Sequence, residues 1–259
     1  MIQFIIFLFG LIVGSFLNYV IYRLSIDGFS FYRDFINVKS RSYCPNCKHV
    51  LNWKDLFPVF SFIFLKGKCR YCKERISWQY PLVEISTAFL FLLISSQNWP
   101  VIDTTFMLYI ACVLIIIFAF DLKHYLIPDK ILFPAICVSF IYRLFYFGLT
   151  NNFLSYLLAA LLASLFFLII YLISKGTWMG FGDVKLAILL GLILGFPNIL
   201  VGMFLAFFLG AIIGLIIIFL GKKGLKSEVP FAPFLITGTF IAMFFSQDII
   251  NWYLHLFIF

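Results

Sequence analysis

Four of the six cysteines form two C-x-x-C pairs, at residues 44–47 (CPNC) and 69–72 (CRYC). Paired knuckles at this spacing are typical of zinc ribbons, in which four thiolates surround one tetrahedral Zn²⁺. The segment is so short that it would need such a metal to fold. Two disulfides, or a thioredoxin-like redox pair, are the competing interpretations, and His49 is an alternative ligand. The predicted zinc ligands are Cys44, Cys47, Cys69 and Cys72.

Two carboxylates border long apolar runs: Asp121 follows Phe118-Ala119-Phe120, and Asp183 lies in the segment 180–185 (GFGDVK). An ionisable residue at membrane depth is costly and is therefore a functional candidate. Two carboxyl groups a few ångströms apart cannot both ionise cheaply, so one keeps a proton while the other acts as a base. Such a pair can activate water against a peptide carbonyl and protonate the leaving amine. Alternatively, each aspartate caps a helix or pairs with a lysine nearby, Asp121 with Lys123 or Asp183 with Lys185.

Composition determines which elements must position these residues. The chain has 259 residues, of which 64% are hydrophobic and 12% charged, and 36 are phenylalanine. This excludes a soluble globular domain, a disordered chain and a disulfide-stapled secreted module. We predict an all-α polytopic membrane protein in the lipid bilayer, with about eight transmembrane helices and an inserted small zinc-ribbon-like domain. The predicted spans are 1–22, 81–97, 104–121, 130–148, 153–174, 184–197, 198–220 and 231–250.

The positive charges favour one orientation of these spans. With eight spans, the loops 23–80, 121–130, 174–185 and 221–230 lie on one side and hold 18 of the 19 basic residues, leaving only Arg143 for the other. By the positive-inside rule, that side is cytoplasmic and both termini lie outside the cytoplasm. The same distribution accounts for the net charge of +8 without a nucleic-acid partner.

Three regions follow from this topology. Residues 1–24 form a retained first transmembrane helix. Residues 25–80, with ten basic and four acidic residues (Asp27, Asp34, Asp55, Glu74) and a net charge of +6, form a cytoplasmic zinc-binding domain. Residues 81–259 form a membrane-embedded domain with seven transmembrane helices, which brings Asp121 and Asp183 to the same cytoplasmic end of the membrane.

The order and spacing of several motifs resemble one family. The segment 180–186 (GFGDVKL) is similar to the GxGD motif of intramembrane aspartyl proteases. Together with the paired knuckles, the chain closely resembles the bifunctional type IV prepilin peptidases, which combine leader peptidase and N-methyltransferase. Four further segments carry the resemblance: residues 14–23 (GSFLNYVIYR), 76–84 (ISWQYPLVE), 127–129 (IPD, with Asp129 eight residues after Asp121) and 230–234 (PFAPF).

The resemblance implies that Asp121 and Asp183 are the catalytic pair, supported by Gly180, Gly182 and Lys185 of the motif. Asp129 ranks second as a catalytic candidate, and we predict that it is the N-cap of the fourth helix. The glycines flanking Phe181 would let a bound extended peptide approach closely.

The resemblance further implies an enzyme of the bacterial inner membrane that cleaves prepilins or pseudopilins at the cytoplasmic face, typically after a glycine. The new N-terminus, usually phenylalanine, is then methylated with S-adenosylmethionine as donor, and the domain 25–80 is associated with this methylation. Glu84 is the candidate for methyl transfer or for contact with the substrate's amino terminus; its alternative is a pair with Arg23.

Two other classes of function compete with this one. A transporter or channel would use carboxylates near the middle of the bilayer and broken helices, whereas both aspartates here lie at one interface. A membrane-anchored zinc-ribbon assembly protein would explain the cysteines but would leave the GxGD segment without a role.

Overall fold

A computed structural model describes residues 1–26, 42–220 and 229–257 of the chain. The predicted charges at Asp27 and Asp34, and at the three lysines of the loop 221–228, lie outside these described residues. Two antiparallel bridges, Tyr43 with Val50 and Lys68 with Arg75, are the extended pairing found in the described ranges. The helices are α1 (Ile2–Leu24), α2 (Phe60–Phe64), α3 (Gln79–Ser95), α4 (Val101–His124), α5 (Asp129–Phe147), α6 (Asn151–Ser174), α7 (Phe181–Leu194), α8 (Asn198–Phe219) and α9 (Ala232–Phe257), with a 3₁₀ turn at Trp53–Asp55.

The eight long helices occupy the places of the eight predicted spans, which confirms an all-α polytopic membrane protein. Six of them are long and apolar enough to cross a bilayer. The other two, α3 with 17 residues and α7 with 14, are shorter. These two helices carry Glu84 and Asp183, so candidate functional residues lie on the shortest of the membrane helices.

Some helix ends differ from the predicted boundaries. Helix α4 continues for three residues beyond Asp121, to His124, and ends where Tyr125 takes a positive φ of 56°. Helix α7 begins at Phe181, so Asp183 is its third residue. The predicted spans 184–197 and 198–220 are joined by a short turn at 195–197, because α7 ends at Leu194 and α8 begins at Asn198.

The first of two compact units comprises Met1–Ala119. Its helices α1 and α3 pack closely through small residues: a Cβ added to Gly10 would lie 2.6 Å from the Cα of Ala88, and one added to Gly14 would lie 2.6 Å from the Cα of Glu84. Small residues of this kind let two helix backbones approach within a membrane. The cysteine knuckles lie between these two helices in the chain.

The second unit comprises Phe120–Phe259 and is built around α7. Ten of the fourteen residues of α7 are buried, and α7 contacts α5, α6, α8 and α9. A Cβ added to Gly191 would overlap the backbone of Ala160 on α6, so only glycine permits this approach. The short helix that carries Asp183 is therefore the packed centre of its unit.

Candidate functional site

The four predicted zinc ligands converge in the first unit. The Sγ atoms of all four cysteines lie within 4.8 Å of one another, and those of Cys44 and Cys72 are 3.9 Å apart. Four thiolates at about 2.3 Å from one tetrahedral Zn²⁺ would be separated by about 3.8 Å. All four cysteines are free thiols in the structure. The arrangement fits a closed, four-coordinate zinc site.

The two knuckles fold in the same way. In the first, the Cys44 N–H donates to the carbonyl of His49 and the Lys48 N–H donates to the carbonyl of Cys44. In the second, the Cys69 N–H donates to the carbonyl of Glu74 and the Lys73 N–H donates to that of Cys69. Lys48 and Lys73 both adopt positive φ, at 56° and 62°. Each knuckle thus turns its two thiols towards one point.

Electrostatics favour ionised thiols in this cluster. Hydrogen bonds from the backbone N–H of Cys72 and, less strongly, of Tyr71 lower the pKa of the Cys69 thiol to about 7, although burial acts in the opposite direction. The thiolate is the form that binds a metal. His49, the alternative ligand, instead places its ring 3.6 Å from that of Tyr71, centroid to centroid.

Asp55 fastens the 3₁₀ turn to the second knuckle. Its carboxylate accepts hydrogen bonds from Arg70 Nε at 2.6 Å, from the Asn52 N–H at 3.1 Å and from the Tyr71 hydroxyl at 3.3 Å. Partial burial acts to raise the pKa of Asp55, but these hydrogen bonds outweigh it and hold the pKa below its usual value. Asp55 was not among the predicted functional residues, and its role is structural.

Both aspartates lie in the second unit. Asp121 lies one turn before the end of α4 and Asp183 in the first turn of α7, and their side chains belong to residues only 5% and 7% exposed. The negative charge of Asp121 acts on the carboxyl group of Asp183. Two buried carboxyl groups from helices separated by two others thus influence each other electrostatically, and their catalytic pairing stays a prediction.

The chain segments that follow and precede these aspartates also pack together. A Cβ added to Gly182 would lie 3.2 Å from the Ile127 side chain, so this glycine makes room for the loop after α4. Lys185 forms an ion pair with Asp129 rather than with Asp183. The prediction that Asp129 is an N-cap is wrong: Pro128 is the N-cap of α5, and Asp129 is its first residue, free to reach Lys185.

One contact of the pair was not predicted. The backbone N–H of Ala232, the first residue of α9, donates a hydrogen bond to Asp121. The start of a helix has free N–H groups and a partial positive charge, which favour a carboxylate. The prolines at 230 and 233 mark the start of this helix in the sequence. The sequence around them does not indicate which carboxylate the helix start contacts.

Glu84, the remaining candidate, belongs to the first unit and is 7% exposed. Its Oε2 accepts a hydrogen bond from the Val59 N–H at 2.7 Å, and the Ser15 hydroxyl also donates to the carboxylate. Arg23 does not pair with it; its guanidinium lies over the rings of Tyr19 and Tyr43, 5.2 and 5.5 Å from their centroids. The alternative role of Glu84 as a partner of Arg23 is therefore wrong.

Two family models match the chain in succession. Residues 8–98 match the Bacterial Peptidase A24 N-terminal domain, which includes all four cysteines and Glu84. Residues 108–215 match the Type IV leader peptidase family, which includes Asp121, Asp129 and Asp183. No solved structure matches the chain.

Full-length relatives agree with these models. The chain is 31% identical to a prepilin leader peptidase/N-methyltransferase of Aeromonas salmonicida, covering 96% of this chain and 93% of the relative. It is 34% identical to one of Legionella pneumophila (95% and 92% covered) and 30% identical to one of Bacillus subtilis (96% and 97% covered).

Proposed function

Because the chain belongs to the type IV leader peptidase family, we propose that it removes the leader peptide from prepilins or pseudopilins and N-methylates the new amino terminus. The observation that supports the peptidase proposal is that Asp121 and Asp183 are both buried near the ends of their helices and that the charge of Asp121 acts on Asp183. A transporter would instead need carboxylates near the middle of the bilayer, whereas Asp121 and Asp183 lie near the ends of their helices.

The hydrogen bonds around the pair suggest a division of roles. The Ala232 N–H stabilises negative charge on Asp121, whereas the described residues supply no hydrogen-bond donor to the carboxyl group of Asp183. We assign Asp121 as the base that takes a proton from the attacking water, and Asp183 as the acid that protonates the leaving amine. The water oxygen bonds to the peptide carbon, the C–N bond breaks, and the pair again shares one proton.

The second activity transfers a methyl group from the sulfonium of S-adenosylmethionine to the new amino terminus, which loses a proton. The buried carboxylate of Glu84, the candidate residue for this step, already accepts two hydrogen bonds. Methylation is therefore proposed from the relatives, with no residue assigned to the methyl donor.

The predicted contact between Glu84 and the substrate's amino terminus can be tested separately. In Glu84→Gln, the amide oxygen can still accept the Val59 N–H bond while the negative charge is lost. Methylation that falls about tenfold while cleavage is unchanged would support the contact. Unchanged methylation would limit Glu84 to holding the turn at Val59.

We further propose that Cys44, Cys47, Cys69 and Cys72 hold Zn²⁺, whose role is to crosslink the two knuckles. Four thiolates fill the coordination shell, so the ion has no open position for a substrate. We place the protein in the bacterial inner membrane, with the knuckles and the aspartate pair at the cytoplasmic face and both termini outside. The basic residues of the loops support this orientation.

The decisive experiment uses the full chain in detergent with a purified prepilin and S-adenosylmethionine, and mass spectrometry of the product. We expect a product that lacks the leader and is heavier by one methylene group. Asp121→Asn and Asp183→Asn should each lower kcat by about 10³-fold or more. The matched control is Asp103→Asn, at the opposite end of α4, which should cleave normally. If either of the first two variants, shown to be folded, cleaved at the wild-type rate, the proposed pair would be wrong.

A further inference from the structure

Helix α7 is too short to cross the membrane alone. Its 14 residues extend for about 21 Å at 1.5 Å per residue, against about 30 Å of hydrocarbon. At the end of the helix opposite Asp183, the last four residues, 191–194, are all buried. The last four carbonyl groups of a helix have no partner within the helix, and buried carbonyl groups need donors from the protein.

Each of those four carbonyl groups has a donor. Two are bonded by neighbours in sequence: the Gly195 N–H donates to the carbonyl of Gly191 at 2.9 Å, and the Asn198 side chain donates to that of Leu194 at 3.3 Å. The other two are bonded by one side chain from α5. Arg143 Nε donates to the carbonyl of Leu192 at 3.0 Å, and Arg143 Nη2 to that of Ile193 at 2.7 Å.

Arg143 is built into the unit rather than exposed to lipid or solvent. The residue is 5% exposed, and its guanidinium carbon lies 4.0 Å from the ring centroid of Tyr156 on α6. The rings of Tyr142 and Phe147 also lie within cation–π range. A positive charge at the carboxyl end of a helix is favourable, and here it compensates the cost of a buried cation.

Helix α5 thus contacts α7 near both of its ends. At one end, Asp129 pairs with Lys185, two residues after Asp183. At the other, Arg143 bonds the last turn of α7. The close approach of Gly191 to α6 restrains α7 sideways, whereas these two polar contacts restrain it along its axis.

We propose that Arg143 is a positioning residue that fixes the axial position of α7 and hence the placement of Asp183 relative to Asp121. This inference rests on the proposed function of the aspartate pair. Without the guanidinium, two carbonyl groups lose their donors in an apolar environment, so the last turn of α7 is expected to rearrange or shift. A displacement of about 1 Å at a reacting group is enough to cost about 10²-fold in rate.

The test measures prepilin cleavage against pH for the full chain with Arg143→Met, Arg143→Lys and, as matched control, Phe145→Met. Phe145 lies on the same helix and is 86% exposed. For Arg143→Met we expect kcat to fall about 10- to 100-fold. The acidic and basic limbs of its plot of cleavage rate against pH should move closer together. Carboxyl groups that lie further apart titrate more independently, so their apparent pKa values differ less. Arg143→Lys keeps a cation and one donor group and should lie in between, and Phe145→Met should match the wild type.

The shape of the profile separates positioning from folding. The rate at each pH is divided by the folded fraction measured at that pH, so a loss of folded protein leaves the shape of the corrected profile unchanged. Arg143→Met with the wild-type rate, or with a uniformly scaled profile, would overturn the proposal. If Arg143→Met does not accumulate in the membrane, Arg143→Lys decides by the same criterion. Normal cleavage by Asp183→Asn would instead refute the aspartate pair itself, whatever the Arg143 variants do.

Discussion

The four thiol groups of the cysteine cluster come from two short loops that fold alike, whereas the carboxyl groups of Asp121 and Asp183 come from two helices separated by two others. Within residues 42–78, only Cys44 and Cys69 are buried. In α7, by contrast, ten of fourteen residues are buried. The two sites therefore obtain their geometry from different sources.

This difference indicates what each site should be sensitive to. The knuckles have almost no buried apolar residues, so we expect the proposed Zn²⁺ to hold their ligands together. The placement of Asp183 depends on how closely α7 packs between its neighbours. Removal of a metal ligand should therefore destroy the cysteine cluster. A larger side chain at a close helix contact of α7 should disturb the aspartate site.

The largest effect is expected from removal of zinc. Metal binding by four thiolates supplies about 10 kcal/mol or more of folding energy. Treatment with a chelator, or Cys69→Ser, should therefore unfold the knuckle segment. Limited proteolysis and thiol alkylation should then detect cleavage within residues 42–78 and newly reactive cysteines, while the helical circular dichroism stays nearly constant.

Cys137→Ser is the matched control, because Cys137 is an exposed free cysteine on α5. It should retain zinc and resist proteolysis like the wild type. A knuckle segment that stays protected after complete removal of the metal would show that packing, not the ion, stabilises it.

The next effect concerns the packing around α7. Gly191→Ala places a methyl group on the backbone of Ala160, so α6 and α7 must separate, at a cost of about 3 kcal/mol. Gly214→Ala on α8 is the control, since a Cβ there has no neighbour within 4 Å. It should leave stability unchanged or raise it by about 1 kcal/mol or less. Thermal unfolding in detergent would measure both variants. Equal melting temperatures would contradict the dependence of this unit on close helix contact.

A smaller effect is expected at the ion pair between Asp129 and Lys185. Asp129 is half exposed, so the pair should contribute about 1 kcal/mol or less. Asp129→Asn and Lys185→Met should each lower kcat by less than about tenfold, and the double variant should add little to either. The measurement is the same cleavage assay. A loss with Asp129→Asn as large as that with Asp183→Asn would make Asp129 a catalytic residue.

The comparison also explains what could be predicted from the sequence. The cysteine ligands follow from local spacing, and the helices follow from long apolar runs, so both were predicted close to their observed positions. That Asp121 and Asp183 share one end of their unit followed from counting spans between them. These inferences need only short-range patterns and the alternation of the chain across a bilayer.

The contacts that complete the aspartate site could not be predicted in this way. The sequence offers Asp183 only as an alternative partner of Lys185, which pairs with Asp129 instead, and it gives Arg143 no role beyond a place on the outer side. The N–H of Ala232 was not considered as a donor. Each of these contacts depends on which helix ends meet across 40 or more residues of chain, which no local pattern encodes.

The smallest expected effect concerns Asp55, which stabilises the knuckle segment independently of the metal. Asp55 links the 3₁₀ turn to Arg70, and Asp55→Asn should destabilise the zinc-loaded segment by about 1 kcal/mol. Because its folded pKa lies below the unfolded value of about 3.9, this stabilisation is complete above about pH 4 and is lost only as pH falls through the folded pKa. Pulse proteolysis should therefore find the same difference between wild type and variant at every pH from about 6 to 8, where the thiol of Cys69 titrates in the absence of metal. Glu74→Gln, an exposed carboxylate in the second knuckle, should show no such loss. A difference that changed across this range would mean that Asp55 acts through the thiols and not through Arg70.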